Sequence, residues 1–193
     1  MKNLLITLLI FLPLISYGGD LDKKLLISIS ENNLGQFEKL LASGANPNYR
    51  DINANPSERP VVMELAAVHE ESKFLELAIQ HGGNPESLDG YKSKTILFES
   101  STHSKLKNVK ILIESGAKIN SLDGNGSTPL HVAISVSNYD IAFYLIKSGA
   151  SLSLKNKWGY TPIDILNKYG DAGVKKDSKQ YKWYLKVAKL VGG

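Results

Sequence analysis

Residues 123–153 read D-G-N-G-S-T-P-L-H-V-A-I-S-V-S-N-Y-D-I-A-F-Y-L-I-K-S-G-A-S-L-S, and this stretch decides the fold. Gly124-Asn125-Gly126 is a turn. Thr128-Pro129-Leu130-His131 starts a short helix, with proline at a first position that needs no N–H. Ile141 to Ile146 carries the apolar face of a second helix. Ser148-Gly149-Ala150 closes it, the glycine supplying a left-handed C-cap that needs no Cβ.

The same terminator recurs along the chain at Gly44-Ala45, Gly82-Gly83, Gly116-Ala117 and Gly149-Ala150, with spacings of 38, 34 and 33 residues. Each glycine follows a helix-periodic apolar run. Counting back 20 residues reaches Pro129 from Gly149, Ile96 from Gly116, Val62 from Gly82 and Lys24 from Gly44. Each of these lies at the start of an apolar stretch that fits a first helix. A fifth unit opens with Asn156-Lys157-Trp158-Gly159-Tyr160-Thr161-Pro162-Ile163-Asp164, restoring the Thr-Pro signature. A period of about 33 residues is the mark of a stacked-repeat architecture.

The Thr-Pro-Leu-His turn, the Gly-Ala terminator and the period together resemble the ankyrin repeat. The resemblance covers nearly all of residues 19–193, and it is most specific in the fourth and fifth units. It implies an all-α solenoid of about five helix-turn-helix repeats with short turn fingers, at about residues 20–48, 49–86, 87–120, 121–153 and 154–193. It makes Thr128, Pro129, His131, Gly149, Thr161 and Pro162 structural, with Thr128 and His131 hydrogen-bonded across the turn and tying adjacent repeats. Asp164 in the histidine place is a variant frequent in final repeats.

One such unit buries too little apolar surface to offset its chain entropy, so the units stack into a continuous core. The end units are read as caps. The first carries Lys23 and Lys24 where inner units are apolar, with Phe37, Leu40 and Leu41 facing inward. The last adds about ten residues after Tyr169, then an amphipathic helix over 181–191 with Trp183, Tyr184, Val187, Leu190 and Val191 apolar. The third unit is degenerate. Phe98 replaces the motif histidine, Ser100-Ser101 replaces the alanine pair, and Leu106, Val109, Ile111, Leu112 and Ile113 supply its second stripe. The second unit has the longest leading loop, Asn48 to Arg59, either a binding insertion or a tolerated surface one.

The N-terminus has the pattern of a signal peptide over residues 1–18. Met1-Lys2-Asn3 is a positive start, Leu4 to Ile15 is an apolar run of 12 residues, and Ser16-Tyr17-Gly18 offers small residues for cleavage after Gly18. An uncleaved anchor or a core helix is the alternative. The segment suggests export to a bacterial periplasm, with no stable membrane insertion once it is removed. The 193 residues contain no cysteine, which excludes disulfides, thiolate nucleophiles and cysteine-based zinc sites.

Catalytic patterns are missing. His69, His81, His103 and His131 form no metal-ligand spacing, and neither a phosphate loop nor a nucleophile elbow occurs. The chain is not expected to be an enzyme or to need a cofactor or metal. Charge is divided: residues 19–86 hold 6 basic and 11 acidic side chains, whereas residues 154–193 hold 9 lysines and 3 aspartates. This division orients a protein partner and does not make the single basic reading surface of a nucleic-acid binder.

Ankyrin proteins bind through finger tips and the exposed face of the first helices. Carried over to this sequence, that implies Tyr91 and Lys92 in the third unit, Asn125 in the fourth, and Lys157, Trp158 and Tyr160 in the fifth. Tyr49 and Arg50 join them from the long loop, and His103 and Tyr169 from first helices. Val68 and His69, Thr102, Ser135 and Val136, and Lys168 hold equivalent first-helix positions. Trp158 and Tyr160 are the sharpest candidates, combining contact area with a polar handle; packing on residues 171–180 is the alternative. Small exported ankyrin proteins are similar to immunity partners of antibacterial effectors, including phospholipase effectors of type VI secretion. The expectation is therefore a monomeric periplasmic binding module that neutralises such an effector. An accessory to an oxidative-stress enzyme such as catalase, and a secreted binder of host proteins, are the other readings.

Overall fold

The computed structural model describes residues 18–54, 60–91 and 94–192. The signal-peptide reading of residues 1–17, and Lys92, lie outside the described residues. Among the described residues ten helices follow in order: α1 Gly18–Ser30, α2 Leu34–Ala42, α3 Val62–Val68, α4 Lys73–Gln80, α5 Ile96–Thr102, α6 Leu106–Glu114, α7 Pro129–Ser135, α8 Tyr139–Lys147, α9 Pro162–Tyr169 and α10 Lys179–Val191. They form two layers. The first helices stack α1–α3–α5–α7–α9, and the second helices stack α2–α4–α6–α8–α10.

The expected register is the observed one. Helices α3, α5, α7 and α9 begin at Val62, Ile96, Pro129 and Pro162. Gly44, Gly82, Gly116 and Gly149 all have φ between 89° and 94°. At each, the glycine N–H reaches back to one carbonyl of the second helix and the next residue's N–H reaches further back, as in Gly44 to Leu41 (3.0 Å) and Ala45 to Leu40 (3.0 Å). This pairing satisfies the orphan carbonyls of the helix end. The first unit departs from the pattern, because α1 runs 13 residues, well before Lys24. Lys23 and Lys24 are exposed, as a cap requires.

Between units the chain makes narrow fingers. Antiparallel bridges join Arg50 to Val61 and Leu88 to Thr95. Ten residues, 51–60, separate the first pair in sequence and six, 89–94, the second.

Three sets of polar bonds tie the units together. Side chains at the finger bases accept the N–H two residues after the next unit's glycine, as in Asn84 to Asn48 Oδ1 (2.7 Å), Lys118 to Glu86 Oε1 (2.6 Å) and Ser151 to Asn120 Oδ1 (2.8 Å); within the first unit Asp22 Oδ1 of α1 accepts the Asn46 N–H in the same way (2.7 Å). Buried Asn108 donates to the carbonyls of Ala67 (2.8 Å) and His69 (3.0 Å), and buried Asn138 to those of Ser101 (2.9 Å) and Thr102 (3.2 Å). Ser100 Oγ donates to Ala67 O at 2.9 Å, so the serine of the degenerate third unit is a buried donor with a partner. Asn108 occupies a buried position on α6, whereas Leu106, Ile111 and Ile113 are only partly covered.

The C-terminal cap is as expected, beginning two residues earlier at Lys179. Helix α10 takes the place of a second helix and lies on α8. Val187 is buried, Trp183 meets Phe143 with ring centroids 5.3 Å apart, and Tyr184 meets Tyr139 at 5.5 Å. Gln180 Oε1 accepts the Tyr139 N–H at 2.9 Å and so caps α8, whose own Asn138 makes no such bond. Leu185 stays half exposed.

Candidate site: a groove on the first-helix face

Thr128 and His131 fix the geometry where the fourth unit meets the fifth. Thr128 Oγ1 accepts the His131 N–H (3.3 Å), and the imidazole Nδ1 accepts the Thr128 N–H (3.0 Å). Nδ1 therefore carries no proton, and Nε2–H donates to the Tyr160 carbonyl of the next finger at 3.0 Å. The ring is neutral. Burial lowers its pKa below the ordinary 6.5, partly offset by the bond to Tyr160.

Asp164 repeats the local half of this arrangement. It accepts from the Thr161 N–H (2.8 Å) and hydroxyl (2.7 Å), bonds that hold its pKa down. A carboxylate has no second nitrogen to reach outward, and α9 is the last first helix among the described residues. In the third unit Phe98 makes neither bond. There Thr95 Oγ1 pairs with Ser121 Oγ of the next unit at 2.9 Å.

These anchors set the fifth finger. Asn156 is buried, and its Oδ1 accepts from the N–H groups of Trp158 (3.1 Å) and Tyr160 (3.1 Å). Lys157 N–H donates to Asn125 O at 2.9 Å, joining the fourth and fifth finger tips. Gly159 has φ 80°, the left-handed conformation that lets the chain double back. The finger thus holds Trp158 outward, 64% exposed.

Beneath it lies a groove of about 430 Å³. Its floor is Phe98, His131, Val132 and Ile165; its walls are Trp158, Tyr160 and Tyr169; Ser127, Ser135 and Asn156 complete it. Lys168 Nζ donates to the Tyr160 hydroxyl at 3.0 Å and lies 5.0 Å from the Tyr160 ring centre and 5.1 Å from that of Tyr169. The Tyr160 and Tyr169 hydroxyls raise its pKa, so it stays charged.

Trp158, Tyr160 and Tyr169 therefore come together, with Lys157 and Asn125 on the adjoining tips. Tyr91 is exposed on the third finger. His103 stands apart at the end of α5, its Nδ1 against the carbonyl (2.9 Å) and carboxylate (3.6 Å) of Glu99. Tyr49 and Arg50 lie at the far end. The Arg50 guanidinium donates to the carbonyls of Leu88 (3.0 Å), Asp89 (2.9 Å) and Gly90 (2.8 Å), so it is spent on holding the next finger.

Sequence reasoning missed Phe98 and Val132, which form the floor. Of the expected first-helix positions Ser135 and Tyr169 line the groove, whereas Thr102 and Val136 do not, and Phe98 and Val132 lie one turn before those two. The signal was present: Phe98 replaces a histidine whose ring packs inward between fingers, so the same position faces the groove.

The side chains of the groove offer rings and cations more than reactive groups. Both nitrogens of His131 are engaged, and Ser135 Oγ donates to His131 O at 2.8 Å. Among the described residues no cluster of ligating side chains could hold a metal, and no helix is long and apolar enough to cross a membrane.

A family model described as Ankyrin repeats (3 copies) matches residues 63–156. An ankyrin repeat protein of Rickettsia bellii (strain RML369-C) is 31% identical over 163 residues, covering 81% of this chain and 60% of the relative. A second from the same organism is 44% identical over 66 residues, 34% of this chain and 39% of the relative. Protein phosphatase 1 regulatory subunit 27 of Mus musculus is 41% identical over 71 residues, 37% of this chain and 46% of that protein. The chain spans between 39% and 60% of the length of these relatives.

Proposed function

Because the chain is an ankyrin-repeat protein, a protein–protein interaction module, we propose that it grips its partner through the groove below Trp158 and acts in the periplasm by neutralising a secreted antibacterial effector. The observation that carries the binding site is the convergence of Trp158, Tyr160 and Tyr169 on one apolar groove. Exposed aromatic side chains held by a rigid backbone lose little entropy on binding and supply most of the contact energy of an interface. Asn156 and the link to the fourth finger provide that rigidity. The address rests on the N-terminal pattern of a positive start, a short apolar run and small residues. The neutralising role rests on that address together with a site built for contact. An effector blocked at the mouth of its active site needs only a stable, shape-matched plug.

The test is affinity capture on immobilised residues 19–193 from periplasmic extract and secreted protein, with Trp158→Ala/Tyr160→Ala in parallel. The expected result is one stoichiometric toxin, a lipase in the favoured case, lost with the double variant. The gene should then protect cells that express that toxin. A housekeeping periplasmic enzyme on the resin, or unprotected cells, would overturn the neutralising role. Capture indifferent to the double variant would overturn the groove.

A further inference from the structure

Six lysine–carboxylate pairs are found among the described residues, and all lie between Asp20 and Lys118. The nine lysines of residues 154–193 take part in none of them. Two of these lysines flank the groove. Lys157 is exposed on the finger tip beside Trp158, and Lys168 lies against the rings of Tyr160 and Tyr169. A lysine already held by aromatic faces has lost part of its rotamer freedom, so pairing it with an incoming carboxylate costs less entropy.

Taking the groove as the docking site just proposed, we infer that its occupant is a short acidic segment of the partner's chain, with an apolar side chain at its centre. The apolar residue enters between Trp158 and Tyr169 over Phe98 and Val132. Carboxylates on either side meet Lys157 and Lys168. The volume of about 430 Å³ suits one or two large side chains.

The charge of the rest of the solenoid limits the length of the segment. Residues 19–86 carry 11 acidic and 6 basic side chains. A polyanion that continued along the solenoid would leave the lysines of the fifth unit and approach this excess. Single-stranded nucleic acid also stacks on aromatics and follows cations, but it needs an unbroken basic track. Here the basic excess of the fifth unit is broken at the fourth, whose single lysine, Lys147, stands against Asp123 and Asp140.

Panning a library of random dodecapeptides on residues 19–193, which contain every described core residue, tests the inference. The expected consensus is a Trp, Phe or Leu flanked by Asp and Glu. The synthetic consensus peptide is then titrated in the Trp183→Phe background, where Trp158 is the sole tryptophan. It should shift Trp158 emission, and its Kd should rise about tenfold between about 50 and 500 mM NaCl. Lys157→Gln/Lys168→Gln should weaken it by at least about tenfold with circular dichroism unchanged. A basic or uncharged consensus, no enrichment, a salt-independent Kd, or equal binding of oligothymidylate would each overturn the acidic segment. If panning fails while the wild-type protein still captures a partner that Trp158→Ala/Tyr160→Ala loses, the groove stands and only this inference falls.

Discussion

Replacing His131 by phenylalanine is the sharpest probe of how the last two units are joined. The two side chains have similar volume, and Phe98 already fills the equivalent place, so little cavity is created. What is lost is the bond from the Thr128 N–H and the bond to the Tyr160 carbonyl, both 3.0 Å, together with the contact of the Thr128 hydroxyl with Nδ1 at 2.8 Å. Thr128 is fully buried, so its N–H is left without water or partner. An orphaned buried group costs about 1–3 kcal/mol and a hydrogen bond whose partner can find water about 0.5–1.5, giving about 1.5–4.5 kcal/mol in all. Domains of this size have about 5–15 kcal/mol in total, so the loss is easily measured. Urea unfolding should be followed by circular dichroism, which reports all the helices, and by tryptophan fluorescence. Both tryptophans, Trp158 and Trp183, lie in the last unit. The variant should unfold earlier, and its fluorescence transition should move ahead of the dichroism transition as the fifth unit uncouples. The pH dependence adds a second check. The folded ring is held neutral, with its pKa below 6.5. As pH falls through 6.5 the unfolded chain binds the proton first, so this contribution is present above that pH and is lost below it. The gap between wild type and variant should shrink from about pH 7.5 to about pH 5. A cost below about 0.5 kcal/mol, or a gap that widens in acid, would refute the reasoning.

Gly83 stands where the other units have alanine, because Met63 Sδ would lie 2.4 Å and the Ala78 carbonyl oxygen 2.7 Å from its Cβ. Gly83→Ala should cost about 1–3 kcal/mol in urea unfolding, and combined with Met63→Ala it should cost less than the sum of the two. Asn138→Ala removes bonds to Ser101 and Thr102 and the bond from Ser104; it should cost about 2–3 kcal/mol by the same measurement. Trp158→Ala should change stability by less than about 0.5 kcal/mol, because the side chain is 64% exposed. In titration calorimetry it should weaken the captured partner by at least about tenfold.

The repeat register was legible because it rests on residues with few substitutes. A left-handed helix end favours glycine, and a helix start tolerates proline, so Gly82, Gly116, Gly149, Pro129 and Pro162 located the units directly. The caps were legible in Lys23 and Lys24 and in the amphipathic run ending at Val191. The polar ties between units were not. Asn108 and Asn138 are ordinary surface residues by type, and only the packed array shows that their amides serve carbonyls some 40 positions earlier. Arg50 has the same character: a positive side chain in a loop reads as a contact residue until the next finger is seen to present three carbonyls to it. The walls of the groove were visible as aromatics in a turn. Its floor was hidden because Phe98 reads as a defect in a degenerate unit, whereas stacking turns that defect into a surface.

Hydrogen exchange of the chain with and without its captured partner tests the central claim most directly. The account predicts added protection across residues 123–127, 155–161 and helix α9, with α2, α4, α6 and α8 unchanged. Protection confined to the second helices, with the fourth and fifth fingers exchanging as before, would contradict it.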